Sequence, residues 1–284
     1  MKPPPPNLRF GGDPQISALI GGRRFDWGSR VYLMGIVNVT PDSFSGDGLA
    51  HDPEAAVALG LRMAAEGADI LDVGGESTRP GHTPVSAEVE MERALPVVER
   101  LARQAGVPVS IDTSKLAVAE AALAAGAAIV NDVWGLQRSP GIAALAANAG
   151  AGLVLMHNQE GHEYGDLLGE IAGRLRRSLA AALAAGVPRE RVLVDPGIGF
   201  GKTAEQNVQV LRHLERLREL GQPLLVGVSR KSFLARIFGL EEQEARLDGT
   251  AAAVAAAVLR GADVVRVHDV ARMARVVRVA EGLR

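Results

Sequence analysis

From residue 31 onward, short apolar runs alternate with longer amphipathic stretches. The runs cover 32–37, 69–73, 107–111, 128–130, 152–156, 191–194, 223–228 and 263–267. They are continuous rather than alternating, the pattern of strands covered on both faces, as in a parallel sheet. Between them, stretches rich in Ala, Arg and Glu predict helices over 54–66, 87–104, 115–125, 140–148, 165–185, 205–220, 244–260 and 270–283. Glycine follows several of these stretches at the position where helices commonly stop, for example Gly67, Gly150 and Gly221. Related phrases recur at such places (Glu66-Gly-Ala-Asp, Ala125-Gly-Ala-Ala, Arg260-Gly-Ala-Asp), each a helix stop followed by a strand start.

Eight strands alternating with eight helices predict an α/β fold, a (βα)₈ TIM barrel formed as one domain over 31–284. An open doubly wound sheet with extra units is the alternative, and the count and length favour the barrel. Residues 1–30 form an N-terminal arm in this reading. Four prolines at 3–6 exclude helix there, and 25–27 has the composition of a short strand, compatible with a short hairpin.

Composition narrows the function class. The chain has 284 residues, 47% hydrophobic and 23% charged, which excludes wholesale disorder. Its 31 basic and 33 acidic residues leave a net charge of −2, which argues against a sequence-independent nucleic-acid binder. There is no cysteine, hence no disulfide framework and no thiolate metal site. No apolar span of membrane-crossing length occurs, and the first residues have no signal-peptide core. The expectation is a cytoplasmic protein without nucleic-acid or membrane partners. Arginine outnumbers lysine 27 to 4.

In a TIM barrel the active site lies at the C-terminal ends of the strands. Polar residues follow nearly every run: Asn38; Asp72 and Glu76; Asp112; Asn131 and Asp132; His157; Asp195; Ser229 to Lys231; and Arg266, His268 and Asp269. A lone polar residue after a strand is commonly a helix cap or turn residue. That reading is applied first to Asp72, Asp132 and Asp269. Two turn-rich loops, 40–48 and 76–84, are candidate lids. Asn38, Arg79, Arg266 and His268 together suit a phosphate group, since Arg donates in a fork that matches it. Asn38 can also give an oxygen to Mg²⁺ carried on phosphates. Asp112, Asn131 and Asp195 suit a flat heterocycle rich in N–H donors, because a buried carboxylate needs a donor partner. Glycoside hydrolysis is the rival use of paired carboxylates, but it leaves the phosphate side without a role. Lys231 is a lysine at a strand end in an arginine-rich chain. A compact three-donor head explains it, and chance explains it equally well on that argument alone.

Other motifs fail. Gly199-Phe-Gly-Lys-Thr203 has Pro196 where a Walker A loop needs glycine, and His162-Glu163 is not followed by a second histidine at 166. His51, His162 and His213 read as surface residues.

Met34-Gly-Ile-Val-Asn-Val-Thr-Pro-Asp-Ser-Phe-Ser45 and Gly67-Ala-Asp-Ile-Leu-Asp-Val-Gly-Gly-Glu-Ser-Thr-Arg-Pro-Gly81 resemble the two opening signatures of the dihydropteroate synthase family. Ser110-Ile-Asp-Thr-Ser114, Asn131-Asp-Val133, Leu155-Met-His157, Asp195-Pro-Gly-Ile-Gly-Phe-Gly-Lys202, Ser229-Arg-Lys-Ser232 and Arg266-Val-His-Asp269 follow in family order. The resemblance spans residues 31–284. It implies a pterin-binding barrel enzyme of folate biosynthesis and a sulfonamide target. Such an enzyme joins 6-hydroxymethyl-7,8-dihydropterin diphosphate to p-aminobenzoate with Mg²⁺ and releases pyrophosphate. By that resemblance Asp112, Asn131, Asp195 and Lys231 hold the pterin. Asn38, Thr78, Arg79, Arg266 and His268 hold the diphosphate, with Asn38 also toward the metal. Phe44, Thr78, Pro80 and Ser232 border the p-aminobenzoate. Arg266 and Lys231 assist loss of diphosphate. The family acid of the first loop sits one place later here, at Asp47, which puts its catalytic part in doubt. A homodimer through the last helices is also implied. The rivals are a barrel that moves methyl from methyltetrahydrofolate to a corrinoid, and a non-catalytic pterin binder.

Overall fold

The computed structural model describes residues 16–40, 52–77, 83–240 and 242–284. The predicted site residues Phe44, Asp47, Thr78, Arg79 and Pro80, and with them His51, lie outside the described residues.

Two antiparallel strands come first, β1 (Ser17–Ile20) and β2 (Arg23–Asp26), paired with Ser17 opposite Asp26. Gly21 and Gly22 join them at φ 55° and 76°. A tight hairpin turn with both central residues left-handed admits glycine readily. The arm thus contains a hairpin two strands wide where the composition marked only 25–27.

Eight parallel strands follow: β3 (Tyr32–Asn38), β4 (Ile70–Gly74), β5 (Val109–Asp112), β6 (Ile129–Asp132), β7 (Gly152–Met156), β8 (Val192–Asp195), β9 (Leu225–Gly227) and β10 (Val264–Val267). Their order is β8-β7-β6-β5-β4-β3-β10-β9. A single bridge, Val194 to Leu224, with Val194 N–H donating to Pro223 O at 3.0 Å, brings β8 and β9 together and nearly closes the ring.

The helices are α1 (Pro53–Ala65), α2 (Ala87–Gln104), α3 (Leu116–Ala124), α4 (Gly141–Ala149), α5 (Leu167–Ala184), α6 (Ala204–Arg212), α7 (Ser232–Phe238), α8 (Gln243–Leu259) and α9 (Val270–Leu283). Side chains cap several: Asp52 accepts from Ala55 N–H, and Thr203 with Gln206 forms a capping box. Gly150 and Gly221 end their helices at φ 63° and 61°, a conformation that penalises any side chain.

Two helix expectations change. The stretch 205–220 breaks at His213, and Leu214–Leu220 continues as a 3₁₀ helix. Leu214, Leu217 and Leu220 are buried three apart, which matches three residues per turn rather than 3.6. The short helix α7 was not predicted, because seven residues ended by Gly239 are too few for a periodic signal.

Side chains alternate along each strand, and the alternation separates two cores. Outward positions such as Leu71, Val73, Ile111, Val194 and Val226 pack with the helices. Inward positions at the strand starts (Met34, Ile70, Ile129, Val154, Leu193, Leu225 and Val264) pack with Ala18, Ile20, Phe25 and Trp27. The hairpin therefore plugs the floor of the barrel. Phe25 is fully buried and stacks on Trp27 at 5.0 Å, with Tyr32 tilted against both rings. Trp27 Nε1 donates to Glu190 O at 3.0 Å, which satisfies its indole.

Candidate functional site

Two residues up from the apolar floor on β4, β6, β8 and β10, the inward position changes character. Ile70 is followed by Asp72, Ile129 by Asn131, Leu193 by Asp195 and Val264 by Arg266. Ser110 and Asp112 join them from β5. Asp72, Ser110, Asp112, Asn131 and Asp195 are all at most 5% exposed. Sheet register sets Asp112 beside Asn131 and Asn38 beside Gly74.

Arg266 organises this layer. Its Nε donates to Asp72 Oδ2 and its Nη2 to Asp112 Oδ2, each at 2.6 Å. Asn131 Nδ2 donates to the same Asp72 oxygen at 3.0 Å. Among the described residues Asp72 Oδ1 and Asp112 Oδ1 are buried without a hydrogen-bond partner, a costly state that an N–H donor from a ligand would relieve. Burial pushes the Asp112 carboxyl up to about 7, against the pull of Arg266. Burial likewise pushes Asp195 up to about 6, although Gly197 N–H donates to its Oδ1 at 2.7 Å. Burial disfavours the Arg266 charge, but Asp72 and Asp112 outweigh it and raise its pKa.

The turn reading holds for Asp132, which accepts from Trp134 N–H at 2.9 Å and Leu136 N–H at 2.6 Å. It fails for Asp72, which lies inside the site and positions Arg266 and Asn131. It also fails for Asp269, which makes no side-chain cap on α9 and instead pairs with both ends of the Arg230 fork. Arg230 adopts φ 57°, and its N–H donates to Thr250 Oγ1 at 3.1 Å. Such a left-handed arginine costs about 1–3 kcal/mol and persists where its surroundings hold it. It turns the chain between Ser229, which bonds His268 Nδ1 at 3.0 Å, and Lys231. Lys231 Nζ lies 4.1 Å from the centre of the Phe200 ring. Ser232, next to it, is exposed at the start of α7. His162 and His213 are exposed, as expected of surface residues.

The division into a heterocycle side and a phosphate side is less sharp than the strand ends suggested. Arg266, placed with the phosphate group, is bonded directly to Asp112, placed with the heterocycle group.

Two further clusters escaped the sequence reading. Lys115 Nζ bonds Glu76 Oε2 and the fully buried Glu90 Oε2, each at 2.5 Å, while Glu76 Oε1 accepts from Val85 N–H at 3.0 Å. This anchors both ends of the loop that contains Thr78, Arg79 and Pro80. Lys202 is buried beneath the loop after β8 and bonds His157. The scarcity of lysine was the signal: three of the four lysines in the chain occupy built positions.

Similarity to known proteins decides among the families this geometry allows. The family model described as pterin binding enzyme matches residues 34–268. The dihydropteroate synthase of Clostridium beijerinckii is 45% identical over 251 residues, covering 88% of this chain and 93% of that one. The chain belongs to the pterin-binding enzyme family. Within it, the chain is a transferase of the dihydropteroate synthase type. The Xanthomonas albilineans dihydropteroate synthase solved with 4-aminobenzoic acid superposes with TM-score 0.89 at 46% identity, covering 95% of this chain and 98% of that one. The same protein in complex with 7,8-dihydropteroate gives TM-score 0.83 at 43% identity, covering 94% and 98%. Pterin-binding enzymes of this type share the TIM-barrel fold seen here.

The fit of a magnesium ion follows from the donors. Among the described residues, no group of three or more His, Asp or Glu side chains is placed to hold a metal. Asn38 offers an amide oxygen beside Gly74, where an added Cβ would come within 3.8 Å of it. That set fits an ion that arrives on substrate phosphates with most of its waters, not one caged by protein.

Proposed function

We propose that this enzyme condenses 6-hydroxymethyl-7,8-dihydropterin diphosphate with p-aminobenzoate, giving 7,8-dihydropteroate and pyrophosphate. The observation that carries this reading is the buried set Asp72, Asp112, Asn131 and Asp195 gathered by Arg266, with two carboxylate oxygens lacking donors among the described residues. Asp112, Asn131, Asp195 and Lys231 take the pterin. Asn38, Thr78, Arg79, Arg266 and His268 take the diphosphate. Phe44, Thr78, Pro80 and Ser232 border the p-aminobenzoate.

In the reaction, the bond between the pterin methylene carbon and the diphosphate oxygen breaks with both electrons leaving on oxygen. The pterin ring delocalises the resulting cation, which the negative charges of Asp112 and Asp195 favour. The amine nitrogen of p-aminobenzoate then bonds the methylene carbon and loses a proton to solvent. Arg266 spans both ends, because Nε and Nη2 hold the carboxylates while Nη1 makes no hydrogen bond among the described residues. Nη1, Arg79 and His268 donate to the departing diphosphate. Asn38 would hold Mg²⁺ together with the substrate phosphates, and the ion would supply further neutralisation of that charge. The loops 40–48 and 76–84 exclude water that would capture the cation.

The enzyme acts in the cytoplasm in this reading, and no helix among the described residues is long and apolar enough to cross a membrane. It pairs with a second copy through its last helices, where Val279 and Leu283 of α9 are 63% and 73% exposed. Light scattering tests the pairing. Pyrophosphate release with and without p-aminobenzoate, and with and without Mg²⁺, tests the activity. Release coupled to dihydropteroate formation is expected only when both are present. Binding of the pterin diphosphate without any turnover would select the non-catalytic rival.

A further inference from the structure

The loop after β8 is fastened from beneath by a buried ammonium. Lys202, 6% exposed, places its Nζ 3.0 Å from Gly197 O, 2.9 Å from Phe200 O and 3.1 Å from His157 Nδ1. Three acceptors match the three hydrogens of an ammonium. No carboxylate pairs with it among the described residues. A buried charge solvated only by neutral groups is costly for stability, which turns attention to what it holds in place.

Both carbonyls belong to residues that touch the site. Gly197 N–H donates to Asp195 Oδ1, while Gly197 O accepts from Lys202. His157 N–H in turn donates to Asp195 O at 2.9 Å, so the loop, β7 and β8 form a closed circuit around Asp195. Gly197 has φ 69°, and a Cβ there would meet His157 O at 2.0 Å. The second carbonyl belongs to Phe200, whose ring lies under Lys231.

We propose that Lys202 and His157 are positioning residues for the pterin end of the site: the buried ammonium ties Gly197 to Phe200 and so sets the Asp195 carboxylate and the ring on which Lys231 rests. The proposal rests on the reading of Asp195 and Lys231 as pterin contacts.

Charge follows the same circuit. Burial holds His157 neutral, lowering it to about 2, so Nδ1 remains an acceptor for the ammonium. Burial lowers Lys202 to about 7. The groups that face this circuit are Asp195 on β8, Lys231 before α7, Arg174 on α5 and Arg266 on β10, with Tyr164 beside His157. Lys202, Lys231 and Arg266 all favour the ionised Asp195.

The test is steady-state kinetics from acid to alkaline pH on Lys202→Met, His157→Asn and Asp195→Asn. Lys202→Met is expected to raise KM for the pterin diphosphate by about tenfold, as for loss of a charge-assisted hydrogen bond, with KM for p-aminobenzoate changed less than about twofold. The acid limb of kcat/KM should move to higher pH, since Asp195 loses a neighbouring cation. His157→Asn keeps an acceptor and the lysine charge, so its KM should rise about threefold with no movement of the limb. Lys202→Met that folds but keeps the wild-type KM and limb overturns the proposal, as does equal loss toward both substrates. If Lys202→Met does not fold, His157→Asn decides: an unchanged pterin KM overturns it. Asp195→Asn separates the premises. If that variant binds pterin normally, the reading of Asp195 fails; if it is impaired while Lys202→Met is normal, only the present inference fails.

Discussion

The floor and the mouth of this barrel are built from the same strands, yet they obey opposite rules. At the floor, Met34, Ile70, Ile129, Leu193 and Val264 close on the aromatic plug from the hairpin, whose Trp27 indole N–H is satisfied by Glu190 O. Two residues above Ile70, Ile129, Leu193 and Val264 stand Asp72, Asn131, Asp195 and the half-buried Arg266, joined by Asp112 from β5. Among the described residues Asp72 and Asp112 each keep an oxygen without a partner, and burial raises the Asp112 and Asp195 carboxyls. The first layer lowers the free energy of the fold by removing apolar surface from water. The second is tolerated because a ligand completes it. Stability and function are separated along one strand by the rise of two residues.

Substitution at the plug gives the largest expected effect on stability. Phe25→Ala should destabilise the fold by about 3–5 kcal/mol through the cavity it leaves, with kcat unchanged below the melting temperature. Chemical denaturation alongside turnover measures both, and a large kcat loss in the folded variant would show that floor and mouth are coupled. At the mouth, Arg266→Ala should lower kcat/KM by about 10²-fold or more, as for other lost charge-stabilising donors. Turnover within twofold of wild type would remove Arg266 from the reaction. Asp112→Asn should weaken pterin binding about tenfold while leaving the unliganded melting temperature unchanged or higher, because a costly buried carboxylate is gone. A clear drop in melting temperature would place Asp112 with the stabilising layer instead.

The smallest effect is the response to pH. Asp112 at about 7 and Asp195 at about 6 bind their protons more tightly in the fold than at the ordinary 3.8. The folded state therefore carries more protons than the unfolded chain in that window. Their contribution to stability is fully present below about pH 3.8 and is lost as pH rises through about 6 and about 7. Pterin affinity should run the other way, rising through the same window as the carboxylates ionise to accept ligand N–H groups. Calorimetric titration across that window checks the sign, and affinity that falls with rising pH would contradict it.

Much of this was legible in the chain itself. The eight continuous apolar runs, the helical stretches between them and glycines such as Gly150 and Gly221 locate the elements, because hydrophobic period and left-handed helix stops are local properties. A polar residue at the end of each run marks where the mouth lies. The sequence also singles out Lys231 through the rarity of lysine, and the same reasoning applied to Lys115 and Lys202 would have found both buried networks.

What the chain alone left undecided is which polar residues meet. Asp72 looks like a turn residue in sequence, and only the pairing of β10 beside β3 brings Arg266, 194 positions away, onto its carboxylate. The same strand order bonds Arg266 to Asp112 and so merges two groups that strand ends alone keep apart. The hairpin is readable as short strands, but its use as a plug depends on an apolar floor assembled from eight separate segments. Periodicity assigns a side chain to a face, whereas its partners are set by how the strands are ordered and registered around the barrel, a non-local property of the tertiary structure.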